Sequence, residues 1–302
     1  MKNFPQPVPR SLNSRQGFTL VEVLVSSFLT LIVLGMLFAV LVGTMNAWQS
    51  GTNRLKSSGD ARLALDILKT DLESMVVRQT QYNQEWLSSR PFEDQVSKFI
   101  NSWVTFFSPS LDREAGQQGD IVAVSYLSWY QDPIAPGIAP SEQVKIYGLY
   151  KAMTTTEEAF NNALNYGNDA LLTEEGGGTQ GYWTNAPTRP ELNDINGFLA
   201  PNVIRFTVHW MVRKPGDTEL TRYDETHYVR LSNTLVIYNS GGGLELSGGK
   251  IEAAEIFLTT LSDEGMRRYA FFAKNGTITT QQTQNIIREF GRTHSIRVPI
   301  NY

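Results

Sequence analysis

Gly17-Phe18-Thr19-Leu20-Val21-Glu22 is the stretch on which the reading of this 302-residue chain turns. Lys2, Arg10 and Arg15 lie upstream, and no acidic residue precedes Glu22. Downstream, an uncharged run extends from Val23 to Val42. Phe18 to Val42 is 25 residues, and as a helix it would be about 37 Å long. That is enough to cross a hydrocarbon core of roughly 30 Å with some tilt. A secretory signal has an apolar region of only about 7–15 residues before its cleavage site, so this run is too long for one. The leader cations favour a cytoplasmic N-terminus, which sends everything after about Trp48 to the far side of the membrane.

Glu22 is the odd residue in this run. An acidic group in a membrane segment costs up to roughly 2.5–3.5 kcal/mol at mid-bilayer, less near the interface, and usually has a partner. A carboxylate at headgroup level would stay wet and need no purpose. Alternatively, cleavage after Gly17 frees an α-amine on Phe18, and Glu22 pairs with such an amine on a neighbouring subunit. The basic leader, the Gly-Phe junction and the uncharged run together favour the second reading.

These residues resemble the type IV prepilin signature, which also marks the pseudopilins of type II secretion systems. The resemblance implies that a prepilin peptidase cuts after Gly17, that Phe18 becomes the methylated N-terminus, and that Glu22 is the docking carboxylate. It covers about the first fifth of the chain. Many pilins carry a helix-kinking proline in this span, whereas no proline occurs here between Pro9 and Pro91. Glycines at 35, 43, 51 and 59 loosen the helix instead, each by about 1 kcal/mol relative to alanine.

The helical pattern continues past the apolar run. Leu65, Leu68, Leu72, Met75 and Val76 recur at three- and four-residue spacing and define one apolar face. Asp60, Arg62, Asp66, Lys69, Asp71 and Glu73 occupy most of the remainder. A helix from Phe18 to about Gln79 would extend about 93 Å, odd for a compact enzyme and natural for a subunit of a helical filament. The expected layout is a leader over 1–17, a transmembrane helix over 18–45, its amphipathic continuation over 46–80, and a periplasmic head over 81–302.

The head reads as α+β, a mainly antiparallel sheet packed on the helix. Ile204 to Val212 alternates apolar and polar residues as a half-buried strand. Ile121 to Tyr126 is a denser apolar strand, with Val144 to Tyr150 as its partner. Thr226 to Tyr238, Glu255 to Leu261 and Ser295 to Ile300 complete the set. Thr154 with Glu157 and Thr155 with Glu158 fit a capping box opening a helix through about Leu171. Further helices are expected from Ser262 to about Ala273 and from Gln281 to Phe290. Glycine-rich loops span Glu174 to Gly181 and Ser240 to Gly249, and Pro133, Pro136 and Pro140 mark another. Neither glycine loop has the spacing of a nucleotide-binding motif.

Asn202 to Val208, a strand at Ala254 to Leu261 and a closing strand around Arg297-Val298 resemble the layout of J-type minor pseudopilins. The same layout is similar to the Verru_Chthon cassette C proteins. Either resemblance implies a pilin-like head, here enlarged by insertions around residues 80–120 and 150–200.

Chemistry is sparse in the sequence. With no cysteine, thiol catalysis and disulfides are excluded. His209, His227 and His294 lack metal-ligand spacing, and His209 falls on the polar face of its strand, facing solvent. The carboxylate pairs Glu157/Glu158, Glu174/Glu175, Asp224/Glu225 and Asp263/Glu264 lie in first helical turns or beside turns, where a solvated surface is expected. Trp103, Trp129, Trp183 and Trp210 read as core or interface aromatics rather than a sugar groove. Removing the leader's three cations from 26 leaves 23 basic against 30 acidic side chains, a formal −7 that argues against nucleic acid.

The reading is therefore a single-pass inner-membrane minor pseudopilin of a type II secretion-like assembly, acting by helix packing rather than catalysis. It needs no cofactor or metal. Its expected partners are prepilin peptidase, other pseudopilins or minor pilins, the membrane and possible secreted cargo. The alternatives are a minor type IV pilin and, from another class, a membrane-anchored periplasmic hydrolase or glycan-binding protein.

Overall fold

The computed structural model describes residues 19–78, 85–94, 96–110, 120–134, 144–159, 197–274 and 278–301. The chain divides into two compact units, Met1–Thr52 and Asn53–Tyr302. Among the described residues the first unit is helix alone. Helix α1 runs from Leu20 to Glu73, so the second unit opens with its C-terminal part. The expected span of Phe18 to Gln79 is trimmed at both ends.

The class is α+β, as the sequence reading expects. β1 (Leu87–Glu93), β2 (Ile100–Pro109), β3 (Ile121–Gln131), β4 (Ile146–Met153) and β5 (Phe198–Pro201) come first. β6 (Val203–Arg213), β7 (Leu220–Tyr223), β8 (Tyr228–Leu231), β9 (Leu235–Tyr238), β10 (Leu244–Ser247), β11 (Lys250–Leu261) and β12 (Gly291–Pro299) follow. The short α2 (Thr156–Glu158) lies between β4 and β5. α3 (Asp263–Lys274) and α4 (Thr280–Phe290) lie between β11 and β12. Among the described residues there is not one sheet but two: eight strands in the order β10-β9-β8-β1-β2-β3-β4-β5, and four in the order β12-β11-β6-β7. Every pairing is antiparallel.

The chain crosses between the sheets three times, and each crossing has its own chemistry. Asn202, between β5 and β6, adopts a left-handed φ of 62°, a conformation asparagine tolerates better than most residues. Its N–H donates to Tyr147 O at 2.7 Å, its carbonyl accepts from Leu261 N–H, and its Nδ2 donates to Asp263 Oδ1 at 2.9 Å. Between β7 and β8, Asp224 Oδ1 accepts from Thr226 N–H and its hydroxyl, closing a turn of the Asx type. Between β10 and β11, Gly249 has φ +94° and stands where a Cβ would meet Arg213 O at 2.5 Å. The stretch Ser240–Gly249 is thus no simple loop, since it holds β10 and this sheet-switching turn. The Glu174–Gly181 loop, Trp183 and most of the helix expected through Leu171 lie outside the described residues.

Inside the second unit, α1 buries Ala61, Ala64, Leu65, Leu68 and Leu72. All but Ala61 join a core with Phe106, Val124, Phe206, Val208 and Trp210 from the two sheets. The apolar face is the expected one, with Ala61 and Ala64 added. Met75 belongs to the same core but follows the helix. The helix ends early because strand-like bonds replace helical ones: Val76 N–H donates to Phe107 O at 2.8 Å, and Ser74 Oγ meets Ser108 Oγ at 3.0 Å. Asp71, expected on the wet face, is instead a clamp. It sits 2.6 Å from Lys151 Nζ and accepts from the Tyr126 hydroxyl.

The sheets are joined by side chains. β7 pairs with β6 only from Trp210 to Arg213, leaving the first half of that β6 edge without a strand neighbour. Asn101 Oδ1 accepts from Phe206 N–H at 3.0 Å, Ser102 Oγ accepts from Val208 N–H at 2.9 Å, and Ser128 Oγ donates to Val203 O at 2.6 Å. These buried polar residues thus supply what a missing strand would have supplied. The other face of the larger sheet carries Trp86, Trp103, Phe107, Leu127 and Tyr150 in a second cluster. Trp103 Nε1 donates to Ser125 Oγ at 2.7 Å, so this tryptophan is part of the core.

Candidate functional site

The first unit holds the segment singled out in the sequence. Gly17 and Phe18 lie outside the described residues, so their geometry contributes nothing here. Thr19 caps α1: its carbonyl accepts from Glu22 and Val23 N–H at 3.0 and 3.2 Å, and its Oγ1 accepts from Glu22 N–H at 3.3 Å. The spacing Thr19-x-x-Glu22 is that of a capping box, a signal the sequence reading passed over. Only the threonine half is made. The Glu22 carboxylate is exposed and bonds no other group among the described residues.

From Val23 to Asn53 there is no charged side chain, and the large apolar residues from Leu20 to Trp48 are exposed. The hydroxyls of Ser26, Ser27, Thr30 and Thr44 are satisfied within the helix. Ser26 Oγ donates to Glu22 O at 2.7 Å, Ser27 Oγ to Val23 O at 2.8 Å, Thr30 Oγ1 to Ser26 O at 2.7 Å and Thr44 Oγ1 to Val40 O at 2.8 Å. Such back-bonding lets small polar residues sit in a lipid-facing helix without an orphaned donor. The helix is long and apolar enough to cross a membrane. Glu22 is then the one charged group of this span, and its carboxylate has no partner among the described residues. Its place in the first turn suits the helix dipole, yet the dipole supplies no counter-ion.

In the second unit the polar constellations serve structure. His209 does not face open solvent. Its Nε2 lies 2.6 Å from Glu225 Oε2, its side chain is 12% exposed, and Arg222 Nε donates to its Nδ1 at 3.0 Å. Glu225, expected on a solvated surface, is 13% exposed and also receives Arg205 Nη2 at 2.6 Å. The hydrogen bond from His209, aided by the Arg205 charge, holds the Glu225 carboxyl below its usual range against the opposing effect of burial. Burial pushes the Asp224 carboxyl upward, but bonds from Thr226 and His227 outweigh it, and the group ends below its usual range. Asp263 and Glu264 open α3 as expected, with Glu264 3.1 Å from Arg268.

A buried group at the sheet junction escaped the sequence reading. Asp94 is 2% exposed and accepts from the Tyr147 hydroxyl, which is 3.1 Å from the Tyr269 hydroxyl. Burial first, and the Asp94 charge second, raise the pKa of Tyr147. Tyr147 therefore stays a neutral donor to the carboxylate, which also accepts from Ser97 N–H, while the Tyr269 hydroxyl meets that of Tyr147. No spacing in the sequence links residues 94, 147 and 269. Among the described residues, no three His, Asp or Glu side chains converge as a metal-holding group.

The comparisons point to the N-terminal segment. Residues 12–38 match the prokaryotic N-terminal methylation motif, so the chain carries the signature that marks type IV prepilins. No curated protein matches the chain. Among solved structures, a type IV-like pilin from Thermus thermophilus aligns over 80% of this chain and 95% of its own, at 10% identity and a TM-score of 0.31.

Proposed function

We propose that this chain is a processed, single-pass subunit of a pilin-type filament, specifically a minor pseudopilin of a type II secretion-like assembly. Cleavage after Gly17 exposes the Phe18 amine, which is methylated. α1 anchors the subunit in the inner membrane with the head on the periplasmic side. Glu22 pairs with the terminal amine of a neighbour as the helices pack. The subunit acts by assembly with other pseudopilins or minor pilins, and catalysis is no part of its role.

The observation that supports this most is the exposed Glu22 carboxylate, without a partner among the described residues, at the head of an uncharged helix bearing the methylation motif. A single charge left in such a span is costly unless a partner arrives from outside. The test is Glu22→Ala in cells containing the partner pilins. Processing should continue while co-purification with partner subunits drops. Undiminished co-purification would remove the docking role from Glu22.

A further inference from the structure

His227 is held between two carboxylates. In the turn that joins β7 to β8, its Nδ1 lies 2.8 Å from Asp224 Oδ1, and its Nε2 lies 3.2 Å from Glu245 Oε2 of β10. An ionised carboxylate only accepts hydrogen bonds, and a neutral imidazole carries a single N–H. Both contacts are therefore hydrogen bonds only when the ring is protonated. In the neutral ring, one of the two carboxylates faces a nitrogen lone pair.

The two carboxylates are not equal. Asp224 Oδ1 is fixed in place by Thr226 N–H at 3.0 Å and by the Thr226 hydroxyl at 2.6 Å. Glu245 has no ion pair or hydrogen bond besides His227 among the described residues, and its side chain is 41% exposed. Loss of the proton therefore spares the Asp224 bond and breaks the Glu245 one. The remaining surroundings do not offset this. Tyr223 meets the imidazole edge-on at 5.3 Å, and Lys214 Nζ lies 5.9 Å from the Tyr223 ring. Glu225, in the same turn, is turned to Arg205 and His209. Among the described residues, neither Asp224 nor Glu245 has a basic partner other than His227.

The Glu245 bond matters because β10 is otherwise lightly held. It is an edge strand of four residues, of which only Leu246 is buried. It pairs with β9 at three positions, and the register shifts between Leu244 and Leu246, which leaves Glu245 out of the ladder. A bulge of this kind re-aims a side chain, here to a turn that precedes β8, although β9 lies between β8 and β10 in the sheet. β10 also leads into the Gly248–Gly249 turn to β11. The His227–Glu245 contact thus ties the second crossing between the sheets to the strand that begins the third.

We propose that His227 is a proton-operated clip: charged, it fastens edge strand β10 to the β7–β8 crossing, and neutral, it releases Glu245 and lets β10 fray. Histidine changes charge between about pH 5 and 8, so the clip is closed on the acid side of that window and open on the alkaline side. The inference stands on the second unit alone and does not depend on cleavage at Gly17 or on the role of Glu22.

The test is hydrogen–deuterium exchange of the full-length protein in detergent, read on peptides spanning residues 240–249 and 251–261 near the two ends of that window, at about pH 5.5 and about pH 7.5. Protection factors, which remove the pH dependence of the chemical exchange step, should fall at β10 by about two- to fivefold on going to the higher pH, the worth of a half-exposed ion pair. They should stay constant at β11. Glu245→Gln offers an amide that can meet either form of the ring, and His227→Gln removes the titrating group, so each variant should abolish the step. A step of undiminished size in either variant, or none in the wild type, would overturn the proposal. Nitrogen chemical shifts of the His227 ring give a second reading: both nitrogens should be protonated at the lower pH and Nδ1 alone at the higher. A proton retained on Nε2 alone at the higher pH would contradict the release of Glu245.

Discussion

Asp71→Ala should loosen the attachment of α1 within the second unit, and the size of the effect can be worked from the geometry. Asp71 lies 2.6 Å from Lys151 Nζ, and the two side chains are 19% and 18% exposed. The same carboxylate accepts from the hydroxyl of Tyr126, a residue that is 0% exposed. Removing it strands a buried phenol, at about 1–3 kcal/mol. It also breaks an ion pair whose full loss in a dry interior costs about 3–5 kcal/mol. With a fifth of each charged side chain still in contact with water, screening lowers the second figure. The two losses overlap, and a total of about 3 kcal/mol is expected. That is a large part of the roughly 5–15 kcal/mol that holds a domain folded. Tyr126→Phe removes the donor rather than the acceptor and leaves the Lys151 pair in place, so about 1 kcal/mol is expected. The assay is urea unfolding of detergent-solubilised protein followed by tryptophan fluorescence, for both single variants and the double variant. The double variant should be less destabilised than the sum of the singles by about 1 kcal/mol, since the two residues share one bond. Strict additivity, or an unchanged midpoint in Asp71→Ala, would refute the clamp.

Other perturbations probe the joints of the head. Asn101→Ala takes the acceptor from Phe206 N–H, a buried group with no strand neighbour on that side. About 1–3 kcal/mol should be lost in the same urea assay, and Asn101→Asp should recover less than wild-type stability because it buries a charge. Glu225 sets a pH dependence. Its carboxyl is held below the ordinary glutamate range in the folded state by the His209 hydrogen bond, so its contribution is fully present above that range and is lost as pH falls through the lower folded value. Stability measured from pH 7 down to about 3 should therefore decline on the acid side, and Glu225→Gln should reduce that slope; an identical slope would remove Glu225 as its source. Gly249→Ala places a Cβ against the Arg213 carbonyl in a left-handed turn and should lower the unfolding midpoint, whereas Gly51→Ala, which meets nothing within 4 Å, should not.

Much of the fold was legible where one strong period ran uninterrupted. β6 buries the apolar set that the pattern indicates, Ile204, Phe206, Val208, Trp210 and Val212, although Thr207 of the polar set is buried too. α3, α4, β11 and β12 follow from caps and apolar runs of the same kind, and the pairing of β3 with β4 is as expected. β1 was hidden by its polar composition and Pro91. That proline is tolerated because β1 pairs with β8 only from Leu87 to Ser89, and Pro91 lies beyond, on an open side. β2 and β3 are buried on both faces, so they show no alternation. Thr226 to Tyr238 read as one strand, yet the chain turns at 232–234 without glycine or proline to mark it. The partners of His209 were illegible for a different reason. Alternation assigns a side chain to a face, but Glu225 reaches it from a turn 16 residues away. Of the candidate site, the position of Glu22 was readable from charge alone and the threonine cap from the Thr19-x-x-Glu22 spacing, whereas coordinates were needed to show that only the threonine half of that box is made.

The central claim is that this chain is a processed pilin-class subunit, and the mass of the mature N-terminus tests it most directly. Membrane-extracted protein from cells containing a prepilin peptidase should begin at Phe18 and carry one added methyl group on its α-amine. A mature chain that begins at Met1, or at any residue other than Phe18, would contradict the account.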